Sequence, residues 1–104
     1  MTEETRIFIA SRLTAGNFLF PGRIEITPDR VSRIKPTLTG SDEESITISK
    51  VASVSIHTGL VWADIRIDST GGTNPIASHG HTKEDAGAIR DLIQRHQKST
   101  RTAD

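Results

Sequence analysis

Cysteine is absent from these 104 residues, which excludes disulfides and thiolate metal sites. Tyrosine is absent as well, and one Trp with three Phe completes the aromatic set. With hydrophobic residues at 34%, the core must be built from Ile, Val, Leu and Ala, and it will be thin. Neither sign of charge is in excess, since thirteen basic and thirteen acidic side chains cancel. A dedicated nucleic-acid binder carries a basic surplus, so that class is set aside. No apolar run approaches the roughly 20 residues of a membrane span. The stretch MTEETRIFIASRL has no basic flank ahead of an apolar run, so no secretory signal is read there. The expectation is one cytoplasmic domain: residues 6–97 folded, 1–5 flexible and 98–104 a disordered tail.

What is present is alternation. In VASVSIHTGLVWADIRIDS, apolar and polar residues alternate twice around Gly59, the pattern of two strands with one buried and one solvated face. Ala52, Val54 and Ile56 are expected inward in the first strand, and Val61, Ala63, Ile65 and Ile67 in the second. Upstream, RIFIASRL reads as a strand apolar on both faces, and NFLFPGRIEI as a strand bent at Pro21-Gly22. After the turn at Thr27-Pro28-Asp29-Arg30 comes a strand through Val31 and Ile34 that ends near Pro36. The opposite parity of Val31 and Ile34 means either a bulge or apolar groups on both faces. TLTGSDEES reads as a solvated acidic loop, and SITIS as a strand burying Ile46 and Ile48. Gly71-Gly72 reads as a turn into a short strand, TNPIASH.

The period then changes to that of a helix over about 83–97. Thr82 is placed to cap it, and Glu84 and Asp85 sit in the first turn, where carboxylates suit the dipole. Ala86, Ile89, Leu92 and Ile93 form its apolar stripe. The expected core is Ile24, Ile26, Ile46, Ile48, Val54, Ile56, Val61, Ile65, Ile67, Ile89 and Ile93.

Seven short antiparallel strands and a C-terminal helix match the order of elements in the pleckstrin-homology (PH) superfold. The segments GRIEITPDRV, SITISKVASVSIHTGL, ADIRIDSTGG and TKEDAGAIRDLI resemble the small bacterial PH-like domains, the YokE-like type among them. The resemblance spans roughly residues 6–97 and rests on apolar spacing. It implies a mainly β fold, a seven-stranded barrel capped by a helix, acting as a non-enzymatic interaction module without cofactors. It also implies homo-oligomers, so the partner expected is a second copy or another protein.

Candidate contact residues are Leu60 and Trp62, which by parity lie on the face opposite Ala63 and Ile65 at a hairpin tip. Trp is enriched at the centres of interfaces. Arg12, Arg23, Arg30, Arg33 and Lys35 give the N-terminal half a basic bias. By analogy with eukaryotic PH domains, Arg23, Arg30, Arg33 and Lys35 would form a face for anionic lipid head groups, the alternative reading. His79 and His81 in HGH would share a strand face in regular alternation and could present two imidazoles to a metal, though a third ligand would have to come from Asp68, Asp85 or His57. The simpler reading makes them polar residues at a strand-to-helix junction. Ser78, His79 and Asp85 invite an acyl-transfer reading, but no nucleophile turn accompanies them. The Gly-rich TGG precedes a strand rather than a helix, so it is no phosphate loop. No catalytic, cofactor or metal residue is assigned.

Overall fold

The computed structural model describes residues 5–14, 17, 19–71 and 75–102. The expected flexible segment 1–5 lies outside these residues except for Thr5, as do Gly72 of the expected turn and positions 103–104 of the expected tail. The elements run β1 (Arg6–Ile9), β2 (Arg23–Ile26), β3 (Arg30–Thr37), β4 (Gly40–Thr47), β5 (Val51–Thr58), β6 (Trp62–Ser69), β7 (Ile76–Thr82) and α1 (Lys83–Thr102), with one 3₁₀ turn at Ile48–Lys50. Strands β1-β2-β3-β4 form one antiparallel sheet and β5-β6-β7 a second. The 3₁₀ turn passes the chain from one sheet to the other. The strands therefore make two facing sheets rather than a fully closed barrel, with α1 across the open side, and this is the PH-like arrangement that the order of elements implies.

Between the sheets lies an aliphatic core. Ile24 and Ile26 of β2, Val31 and Ile46 of β3 and β4, and Ala63, Ile65 and Ile67 of β6 point into it. Phe8, Val51 and Ile76 join them, as do Ala86, Ile89, Leu92 and Ile93 from α1. From Ser53 onward β5 keeps the expected register, with Ser53 and Ser55 facing water while Val54 and Ile56 lean on the core, half-buried. Ala52, expected inward, is exposed, because a register shift between Val51 and Ser53 puts Val51 in the core instead. Ile48 is buried as expected, although it belongs to the 3₁₀ turn rather than to a strand.

Three further expectations are corrected and one open alternative is settled. Val61 is not a core residue but 63% exposed, because the turn occupies Gly59 to Val61 and β6 opens only at Trp62. The acidic stretch is not a loop. Asp42, Glu43 and Glu44 lie in β4, paired with β3 through a tight turn at Leu38-Thr39. Between Val31 and Ile34 the register with β2 and β4 is continuous, so β3 carries no bulge and buries groups on both faces. The helix continues past position 97 to Thr102, so 98–102 extend it instead of forming a tail. Its N-terminus is capped as expected, with the Asp85 amide donating to Thr82 Oγ1 at 3.0 Å. Pro36 is accommodated inside β3 because β2 reaches only as far as Ile34, leaving no β2 partner at position 36.

Side chains stitch the remaining seams. Gln97 Nε2 of α1 donates to the carbonyls of Val51 (2.9 Å) and Ile48 (3.3 Å), tying the helix to the sheet crossover. At the opposite corner the Ser11 amide donates to the Gly80 carbonyl at 2.8 Å, joining the segment after β1 to β7. Asn17, buried there, accepts from the Gly22 amide (2.9 Å) and donates to Thr14 Oγ1 (2.8 Å) and the His79 carbonyl (3.3 Å).

Candidate interaction surfaces

The β5–β6 turn presents the most exposed large apolar side chain among the described residues, Leu60, close to an aromatic one. Leu60 is 97% exposed, Val61 is exposed beside it, and Trp62 is half-buried on the outward face of β6. Backbone geometry holds this tip firmly. The Gly59 amide donates to the Trp62 carbonyl at 2.9 Å, and Lys83 Nζ donates to the Leu60 carbonyl at 2.9 Å. Leu60 and Trp62 thus lie at the same hairpin end, and the exposed Val61 between them adds to its apolar surface.

The basic residues are not gathered into one face. Arg23 opposes Ile34 and shares the outer face of the first sheet with Arg30, which is exposed. Arg33 opposes Ile24 and turns to the inner face, as does Lys35 two residues on. Three of the four are engaged. Arg23 Nε pairs with Glu25 at 2.7 Å, and Arg33 Nη1 lies 3.5 Å from Glu44 on the neighbouring strand. Lys35 Nζ donates to the Phe20 carbonyl and to Asn17 Oδ1. The period of two separates residues that lie close in the sequence.

The HGH segment is divided by its own glycine. One register step between Ala63 and Ile65 sets two residues of β7, His79 and Gly80, against Asp64 alone. Gly80 sits at φ +85°, the left-handed region that glycine adopts at such bulges. As a result His79 faces solvent while His81 is fully buried, and the two imidazoles do not share a face. Among the described residues no three His, Asp or Glu side chains approach closely enough to hold a metal ion. The hydroxyl of Ser78 lies 2.7 Å from His81 Nε2, so its partner is His81 rather than His79, and both residues are buried.

His81 Nδ1 is buried without a hydrogen-bond partner. Burial lowers the pKa of this imidazole below its ordinary 6.5, and the nearby His79 and Arg33 act in the same direction against the attraction of Asp85 and Asp64. The folded state therefore excludes a proton that the unfolded chain accepts once the pH drops below 6.5. Stability is retained above that value and is lost as pH falls toward the lowered folded pKa. The slope is at most about 1.4 kcal/mol per pH unit for one proton. Urea midpoints at pH 7.5, 6.0 and 5.0 should decline in the parent and flatten in His81→Gln. An equal decline in both proteins would remove His81 as the cause.

A shallow hollow of about 390 Å³ lies on the outer face of the second sheet, lined by Ser55, His57, Asp64, Arg66, Ala77 and His79. His57 stands directly across from Asp64, and Ser55 across from Arg66. Arg66 is drawn aside by Asp68 at 3.1 Å, and Ser53 Oγ donates to the same carboxylate at 3.2 Å. Asp64 and Arg66 place one charge of each sign in the hollow, which suits contact with a mixed polar surface better than capture of an anion.

No described helix is long and apolar enough to cross a membrane. No protein-family model and no curated protein matches the chain. Among solved structures it is similar to the pleckstrin homology (PH) domain of USP37, with a TM-score of 0.59 at 16% identity, covering 89% of this chain and 92% of that one. Identity at this level carries the PH-like fold and nothing finer.

Proposed function

We propose that the chain is a non-enzymatic PH-like module that mediates protein–protein contact, foremost with a second copy of itself, through the β5–β6 tip. The observation behind this reading is the rigid display of Leu60 and Val61 beside Trp62. Covering a Leu side chain is worth on the order of 2 kcal/mol. Leu60 and Val61 stand in water beside the partly buried Trp62, at a tip whose backbone is held by hydrogen bonds. A prearranged tip loses little conformational freedom on binding. The formal net charge of zero removes long-range repulsion between identical chains. Within the PH-like fold we read the chain as one of the small bacterial domains of the YokE-like type, on the strength of its Thr27-to-Arg30 turn, Gly59 hairpin and Lys83-Glu84-Asp85-Ala86 helix start. A cytoplasmic site of action suits a small domain without cysteine.

Light scattering provides the test. The parent should show a mass above that of the monomer, and Trp62→Glu should lower it while leaving the circular dichroism unchanged. A parent that stays monomeric at high concentration would end this reading. Peripheral binding to anionic membranes through Arg23, Arg30, Arg33 and Lys35 draws less support, since these residues divide between two faces of a sheet. Co-sedimentation with acidic vesicles at low salt, collapsing at high salt, would revive it.

A further inference from the structure

Every open sheet has edges whose free backbone groups invite another strand, and proteins guard them with charge, proline, short length or covering segments. Three of the four edges here are guarded. β1 is four residues long and carries Arg6. β4 displays Asp42, Glu43 and Glu44, so two such edges would repel one another. β7 is covered, because the Gly80 carbonyl accepts from Ser11 and the His79 carbonyl from Asn17. β5 differs from all of these. It is eight residues long, holds no proline and no Asp, Glu, Lys or Arg, and pairs only with β6 among the described residues. Gln97 covers its first carbonyl, at Val51, and leaves the regular run Ser53–Thr58 open.

The core side of that run is also incomplete. Ile65 and Ile67 of β6 are buried, yet their neighbours Ile56 and Val54 in β5 are only partly so. A strand added at this edge would complete their cover. We propose that this strand is β5 of a second copy, antiparallel about a two-fold axis at Ser55, which joins the two small sheets into one of six strands. In this register Val54 faces Ile56 of the other copy on the inner side and His57 faces Ser53 on the outer side, so apolar meets apolar and no like charges oppose. The arrangement is isologous and closes as a dimer. It rests on the self-association proposed above and assigns the backbone contact that would accompany the tip.

The absence of native cysteine makes the test direct. On the two-fold axis the two Ser55 side chains would have Cβ atoms about 4.5–5.5 Å apart, near disulfide range. Ser55→Cys should oxidise to a covalent dimer at concentrations where the parent is associated, whereas Ser41→Cys on the acidic β4 edge should not. Ser55→Lys, placing two ammonium groups face to face, should at least halve the mass by light scattering with unchanged circular dichroism. If the parent associates, Trp62→Glu dissociates it, and Ser55→Cys cross-links no faster than Ser41→Cys, the edge pairing is refuted while tip-mediated association stands. A monomeric parent overturns both.

Discussion

A chain ended at His81 will show no cooperative unfolding transition. Removing α1 takes away Ile89, Leu92 and Ile93, all buried against the sheets, together with the small Ala86. At roughly 2 kcal/mol for each large side chain, the helix side of this contact alone is worth on the order of 6 kcal/mol. The sheet side loses cover in turn, and with it the Gln97 bonds that tie α1 to the 3₁₀ turn and the start of β5. Domains of this size have about 5–15 kcal/mol of stability in total, and an aliphatic core this thin offers little reserve. Thermal melts followed by circular dichroism should be featureless for the truncated chain, with hydrophobic dye bound at low temperature. A sigmoidal melt would show that the two sheets fold without their cover.

Gly80→Ala should cost roughly 3 kcal/mol or more, a larger effect than an added methyl at Gly22, Gly40, Gly59 or Gly87. Two independent terms act together. At φ +85° an L side chain is strained, and a Cβ built there would lie 2.2 Å from Thr14 Oγ1 and 2.8 Å from Thr14 Cβ. Thr14 is poorly placed to yield, since its hydroxyl donates to the Ser11 carbonyl at 2.7 Å and accepts from Asn17. Chemical denaturation should show a lower midpoint with an unchanged slope. Gly87→Ala serves as the control. It has open space around the new methyl and improves a helix interior, so it should raise stability by up to about 1 kcal/mol. Equal effects at the two glycines would mean that the bulge is not the constraint.

Periodicity is legible wherever one side of an element meets the core and the other meets water. Ile24 and Ile26, the run Ala63-Ile65-Ile67, the stripe of α1 and the Thr82 cap all announce themselves in this way. β4 gives no such signal, because an edge strand whose residues are nearly all exposed has no reason to alternate. β1 misleads in the opposite sense. Its apolar residues suggest cover on both sides, yet Ile7 and Ile9 are more than half exposed on the outer face. HGH reads as two co-facial rings only if the strand is regular, and a single residue at positive φ reverses the outcome. The basic residues show the same limit. Proximity along the chain does not place Arg23 and Arg33 on one surface, since strand parity alternates faster than the eye groups charges. Tip residues Leu60 and Trp62 were accessible to parity, while Val61 was not, because the alternation does not reveal the length of a turn.

The stitching of the two sheets has a kinetic consequence. All five ladders join strands that are neighbours in the sequence, and four of them close connections of only two to six residues, the longer one being 10–22 between β1 and β2. The search for native partners is therefore mostly local, which places the chain on the faster side of β-rich folding. Two closures span long stretches of chain: Ser11 to Gly80 at one corner, and Gln97 to Ile48 and Val51 at the other. The first joins the two sheets and the second joins α1 to the sheet crossover, so each becomes worthwhile only after the elements it links exist. Local pairing within each meander is thus entropically cheap, while the two corner latches must wait for partners far along the chain to be in place.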